Sequence, residues 1–136
     1  MNSALAAKVV VIGNAGVDTN VYLPGGDIGW QTEANFTTNV DCVGQAGGYA
    51  SRGFARLGWR VAFAGHLGDD VAGQLVRTVF RRDGVDMRAV WTDPAGTARS
   101  VNLVFGDGQR QPFYDGKSHM TLDPDLAACR AALAGV

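Results

Sequence analysis

The chain has 136 residues, 46% of them hydrophobic and 18% charged, with 12 Lys and Arg against 13 Asp and Glu for a formal net charge of −1. That length suits one domain with a real core, and the even charge balance excludes a general nucleic-acid or membrane-surface binder. The apolar stretches run a few residues each, far short of the roughly 20 that span a bilayer, so no membrane partner is expected.

The N-terminus, MNSALAAKVVVIG, carries its one early Lys after small apolar residues and runs straight into strand-like sequence, unlike a secretory leader. Lys8–Ile12 is a β-branched run ended by Gly13, the pattern of a buried parallel strand. A polar stretch from Asn14 to Val43 follows, in which Val21–Leu23 and Asn35–Val40 are strand-like and Pro24-Gly25-Gly26 is a turn. Tyr49–Leu57 reads as a helix entered through a glycine loop and closed by Gly58. Val61–Ala64 is a second apolar strand. Asp69 and Asp70 can cap the next helix, whose Val71, Leu75, Val79 and Phe80 share a face and whose end carries Arg81, Arg82 and Gly84. Arg88–Trp91 is a third strand. Arg99–Phe105 and Gln109–Tyr114 flank the hairpin signal Gly106-Asp107-Gly108, and Asp123-Pro124 opens a last helix that runs to Ala134.

Strands alternating with helices predict an α/β fold, a parallel sheet flanked by helices, with the β-rich segments set apart in a small sheet of their own. The sequence reaches Val136 at the end of a helix, where such a fold is expected to enter its next strand. Glycine, with 19 residues, stands at about twice its usual share of roughly 7% and suggests loops that turn sharply or approach a ligand. Cys42 and Cys129 are too few for a disulfide framework and lack metal-ligand spacing, which suits a reducing, cytoplasmic setting.

Two glycine segments are candidate sites. Gly13-Asn14-Ala15-Gly16-Val17-Asp18 follows the first strand, but the third glycine of GxGxxG is absent and no helix follows, which weakens a nicotinamide reading. Asp18 lies beyond the C-terminal end of a parallel strand, where open α/β sheets bind ligands. Its carboxylate can either grip two neighbouring sugar hydroxyls or make a local turn bond. Val43-Gly44-Gln45-Ala46-Gly47-Gly48-Tyr49 feeds a helix N-terminus, whose amides can meet anions or hydroxyls, though a hinge or tight packing would need the same glycines.

The segment GQAGGYASRGFARLGWRVAFAGHLGDD, Gly44 to Asp70, resembles the first signature of the ribokinase-like (PfkB) carbohydrate kinases. Ser51, six intervening residues, Gly58, nine intervening residues and Gly68 reproduce the family spacing. VVVIGNAGVDTNV resembles the family's opening strand and puts Asp18 on its sugar-binding aspartate; TARSVNLVFGDGQRQPFYDG resembles its lid hairpin. In the register set by the ARLG helix, Gly44-Gln45 replaces the family's paired glycine, Tyr49 replaces its Asn, and Gly16 replaces the Asn ahead of the aspartate. A register aligning Gly47-Gly48 instead needs three residues deleted before ARLG, which turns the helix by about 300° and buries the wrong face.

The resemblance implies a Rossmann-like, ribokinase-like fold represented by its N-terminal part over residues 1–136, with lid strands within 19–43 and 97–115. It implies transfer of the γ-phosphoryl group of ATP, with Mg²⁺, to a hydroxymethyl group of a sugar or nucleoside. Asp18, Asn14, Gly44, Gln45, Ala46 and Tyr49 would hold the sugar hydroxyls. Arg99 and Asn102, on a lid strand, could face the substrate; Arg99 there would suit an acidic sugar, but a solvated strand Arg is the better reading. The family's catalytic base sits in a GAGD motif that this sequence does not contain, so no catalytic residue is assigned and the chain by itself is expected to be inactive and either self-associating or poorly folded. Asp69 and Asp70 are better read as helix caps. His66 and His119 read as structural, and Cys42 reads better as a small buried hydrophobe than as a reactive thiol. Trp30, Phe36, Trp59, Trp91 and Phe113 read as packing residues or an exposed face. A homodimer through the lid is a further implication. The rival reading is a non-catalytic sugar-binding or assembly module.

Overall fold

The structure, a computed structural model, describes residues 9–115, 127–134 and 136. The β-branched run forms β1 (Val9–Ile12), which pairs with β4 (Val61–Leu67), itself paired with β5 (Asp86–Thr92), in the order β1-β4-β5 and all parallel. Parallel neighbours need crossovers, and α1 (Gln45–Arg56) and α2 (Val71–Arg82) lie on them. Side chains alternate along β4. Val61, Phe63 and Leu67 enter the core with Val76 and Phe80 of α2, where the Phe63 and Phe80 rings meet edge to face at 5.2 Å. Ala62 and Ala89 face the other way and line a cleft with Ala128, Ala131 and Ala132, which belong to α3 (Ala127–Leu133).

A second sheet has the order β3-β2-β6-β7, built from β2 (Gly16–Tyr22), β3 (Thr38–Gly44), β6 (Ala98–Val104) and β7 (Arg110–Tyr114). Its central pair β2 and β6 is parallel and both outer pairs are antiparallel. The Gly106-Asp107-Gly108 hairpin forms as expected: the Phe105 amide donates to the Gln109 carbonyl at 2.9 Å, and Gly108 takes the left-handed φ of 89°. Among the described residues no helix is long and apolar enough to cross a membrane.

Several boundaries differ from the sequence reading. Strand β2 begins at Gly16, so Asp18 lies inside a strand and not in a loop beyond one; Val21–Leu23 covers only the end of β2 and the residue after it. Strand β3 starts at Thr38 rather than Asn35 and continues through the supposed glycine loop to Gly44, where α1 starts directly at Gln45. Gly47 and Gly48 are therefore helical and buried. A Cβ on Gly47 would meet the Asn14 carbonyl oxygen at 2.7 Å and the Phe63 ring at 2.9 Å, so these glycines bring α1 close to β1 and the core. On α2 the buried face is Gly73, Val76 and Phe80, whereas Val71 is 83% exposed and Leu75 is also exposed. The reason is local: Gly73 abuts Gly68 and Thr97, and that close approach fixes the rotation of the helix. The Asp123-Pro124 start of the last helix lies outside the described residues, as does His119.

Candidate functional site

Asp18 sits on the second sheet where it meets the N-terminus of α1, and it is only 5% exposed. A buried carboxylate is costly unless hydrogen-bonded, and this one is surrounded. Its Oδ1 accepts from the Ser100 hydroxyl at 2.7 Å and the Gln45 side-chain amide at 2.8 Å. Its Oδ2 accepts from the Tyr49 hydroxyl at 2.9 Å and the Gln45 backbone amide at 3.3 Å. These four bonds fill the roughly four lone-pair sites a carboxylate offers.

The chain reaches this geometry through three local devices. Parallel pairing sets Ser100 of β6 directly beside Asp18 of β2. Gln45 and Tyr49 are four apart on α1 and so rise on one face. Gly44, the N-cap, makes no side-chain cap bond and α1 has no acidic residue in its first turn, so the carboxylate that satisfies the first turn and suits the helix dipole comes from Asp18 on the neighbouring strand. The fit is tight enough that a Cβ on Gly44 would overlap the Asp18 carboxylate.

Polar bonds continue across the sheet on the same face. Asn102, buried like Ser100, donates to Asn20 Oδ1 at 3.1 Å and to Ser100 Oγ at 3.3 Å, while Asn20 donates to Cys42 Sγ at 3.4 Å. Cys42 Sγ and the Tyr49 hydroxyl share a further hydrogen bond at 3.4 Å. Burial, reinforced by the bonds to Cys42 and Asp18, raises the Tyr49 phenol well above its ordinary value. Tyr49 therefore stays protonated and acts as a donor to Asp18.

Residues 6–133 match the pfkB family of carbohydrate kinases. The chain belongs to that family. It is 39% identical over 124 residues to the acarbose 7(IV)-phosphotransferase of Actinoplanes sp., a match covering 91% of this chain and 41% of that enzyme. Its fold superposes on a microbiome-derived acarbose kinase with a TM-score of 0.74 at 31% identity, over 89% of this chain and 41% of that one. It also superposes on Arabidopsis thaliana ribokinase, solved with ribose and ATP, with a TM-score of 0.73 at 25% identity, over 94% of this chain and 44% of that one. The chain thus spans about two fifths of the length of these pfkB relatives.

Within the pfkB chain the expected site residues divide clearly. Asp18, Gly44, Gln45 and Tyr49 come together. Asn14 takes part through its backbone oxygen, which accepts from the Gly47 amide at 2.8 Å. Ala46 is exposed in the first turn of α1, and none of the hydrogen bonds described above involves it. Arg99 and Asn102 cannot both face Asp18, because residues three apart on a strand point to opposite faces. Asn102 shares the face of Asp18, whereas Arg99 pairs with Val17 and lies beside Val17, Asp41 and Leu75 on the other side. The residues missed are Ser100, Asn20 and Cys42. Counting by twos from Asp18 along β2 gives Asn20, and the same count back from Asn102 gives Ser100. Cys42 is half-buried within the polar row rather than packed as a hydrophobe.

The second carboxylate of note, Asp70, is structural as expected. It caps α2 through the Gly73 amide at 2.7 Å and binds the Thr97 amide at 2.8 Å, tying the helix to the segment entering β6. Asp69 is exposed and does not cap. The His66 ring lies 5.6 Å from that of Trp91. Among the described residues no group of three or more His, Cys, Asp or Glu could hold a metal ion. Trp30, Phe36, Trp59 and Phe113 are exposed rather than packed.

Proposed function

We propose that the protein to which this chain belongs transfers the γ-phosphoryl group of ATP to a hydroxymethyl group of a sugar or nucleoside. In this reading the chain supplies the sugar-binding side, and the β3-β2-β6-β7 sheet acts as a lid. The buried Asp18 carboxylate at the junction of strand, helix and sheet carries the proposal. Family membership and the names of the relatives, two acarbose kinases and a ribokinase, support it.

Asp18 would accept two neighbouring sugar hydroxyls, one on each oxygen, and so fix the ring and aim its hydroxymethyl group. The polar face of Asn20, Ser100 and Asn102 would close over the sugar and exclude water, which otherwise competes as the phosphoryl acceptor. Among the described residues no cluster of His, Cys, Asp or Glu could hold Mg²⁺. On the opposite face of the sheet Val101 and Phe113 are exposed, which supports pairing of two lids in a homodimer.

The test is ADP release by the full-length gene product with ATP and a panel of ribose, fructose and acarbose. Turnover is expected with at least one sugar, and Asp18→Asn should lower kcat/KM by about 100-fold or more, the loss expected when a charged hydrogen-bond acceptor is removed from a buried site. Sugar binding with no ADP release for any member would favour a non-catalytic sugar-binding or assembly module.

A further inference from the structure

The four donors on Asp18 are not equivalent. Ser100 is 3% exposed and wedged between strands, and the Gln45 backbone amide is fixed by the start of α1, so these two cannot leave. The Gln45 side chain is only half-buried and Tyr49 is exposed, so these two can swing away. One movable donor sits on each carboxylate oxygen: Gln45 Nε2 on Oδ1 and the Tyr49 hydroxyl on Oδ2. With all its lone pairs filled, Asp18 has no acceptor left for an incoming hydroxyl until a movable donor withdraws.

Gln45 also carries a backbone anomaly. Its φ of 62° makes it the one residue other than glycine, among those described, in the left-handed region. A side chain there costs on the order of 1 kcal/mol, which glycine avoids. The turn from β3 into α1 therefore calls for glycine, and this chain instead places a long amide there that reaches straight onto Asp18.

We propose that Gln45 is a specificity-determining gate: its side-chain amide competes with the substrate for Asp18 Oδ1, so that only a ligand whose hydroxyl outbids an internal hydrogen bond gains the carboxylate. This rests on the kinase reading only in taking Asp18 as the sugar anchor. The consequence runs opposite to that of an ordinary binding residue. Shortening Gln45 removes a competitor and tightens sugar binding, whereas shortening a residue that holds the sugar weakens it.

The experiment compares the full-length protein with its Gln45→Ala and Gln45→Gly variants, measuring Kd for ribose, fructose and acarbose by calorimetry beside ADP release. Gln45→Ala removes the amide and leaves the left-handed turn strained; Gln45→Gly relieves both. For a sugar that binds, both variants should lower Kd by about fivefold, the equilibrium worth of one exchanged hydrogen bond, with a matching fall in KM. Tighter binding without ADP release from any form sustains the gate and overturns only the kinase reading. Weaker or unchanged binding in Gln45→Ala overturns the gate, whether or not ADP is released. Tightening confined to Gln45→Gly also overturns it, because the backbone and not the amide would then be responsible.

Discussion

In the parallel sheet the side chains turned toward α2 are Val61, Phe63 and Leu67, and in the second sheet those turned toward α1 include Asp18, Ser100 and Asn102; both sets are buried to within a few per cent. Equal burial here rests on opposite physics. The first set gains from leaving water, an effect without direction that accepts any well-fitting apolar neighbour. The second loses hydration and recovers it only if every donor meets an acceptor, so its geometry is all or nothing. A core of the first kind gives the chain its stability. A row of the second kind gives one oriented carboxylate, held on its buried side by Ser100 and the start of α1.

The largest expected effect on stability therefore lies in the first region. Phe63→Ala removes the ring that packs on Phe80 and under Gly47, and should destabilise the full-length protein by about 4 kcal/mol, read as a shift of the urea midpoint. Because the deletion is apolar and the cavity lies beneath α1, the sugar Kd of the protein that still folds should change far less than its stability.

Gly44→Ala sharpens the contrast from the other side. The new methyl group overlaps the Asp18 carboxylate, which is held by fixed partners and cannot slide. Overpacking of this kind costs about 1–3 kcal/mol of stability, but here the displaced group is the proposed sugar anchor. Loss of sugar binding by calorimetry should therefore outrun the loss of stability, the reverse of the Phe63 result. Equal losses in both would mean that the polar row is mere packing.

The same contrast explains what could be read from the sequence. Apolar patterning located β1, β4 and β5, although only β4 is buried along most of its length and Ile12 at the end of β1 is exposed. It failed where a distant group supplies the missing interaction. Glycines at 44, 47 and 48 suggest a loop, yet α1 begins at Gln45 because Asp18, 27 residues away, caps it from another strand. Val71 and Leu75 suggest an inward face, yet the small Gly73 makes the closest approach and turns them outward. Asp18 was legible through its family resemblance. Ser100 was not, because a serine in a strand carries no signal until the register with β2 is known.

Asp70 stands between the two regions, since it caps a helix of the parallel layer and holds the entry to β6. Partial burial pushes its carboxyl upward, but the bonds from the Thr97 and Gly73 amides outweigh burial and hold it below the ordinary 3.8. Its folded value thus lies below its unfolded one, so the stabilisation it brings is complete above the unfolded value and fades as pH falls through the folded one. Asp70→Ala should cost about 1 kcal/mol at neutral pH, as the loss of a cap does. Asp70→Asn can keep the Gly73 cap, but its NH2 group then faces the Thr97 amide where a carboxylate oxygen accepted, so it should cost about 1–2 kcal/mol there, no less than Asp70→Ala. Its distinguishing mark is the acid limb: between about pH 5 and pH 3 the urea midpoint of the unsubstituted protein should fall more steeply than that of Asp70→Asn. Parallel limbs would show that hydrogen-bond geometry, and not the charge it holds, makes the joint between the two sheets.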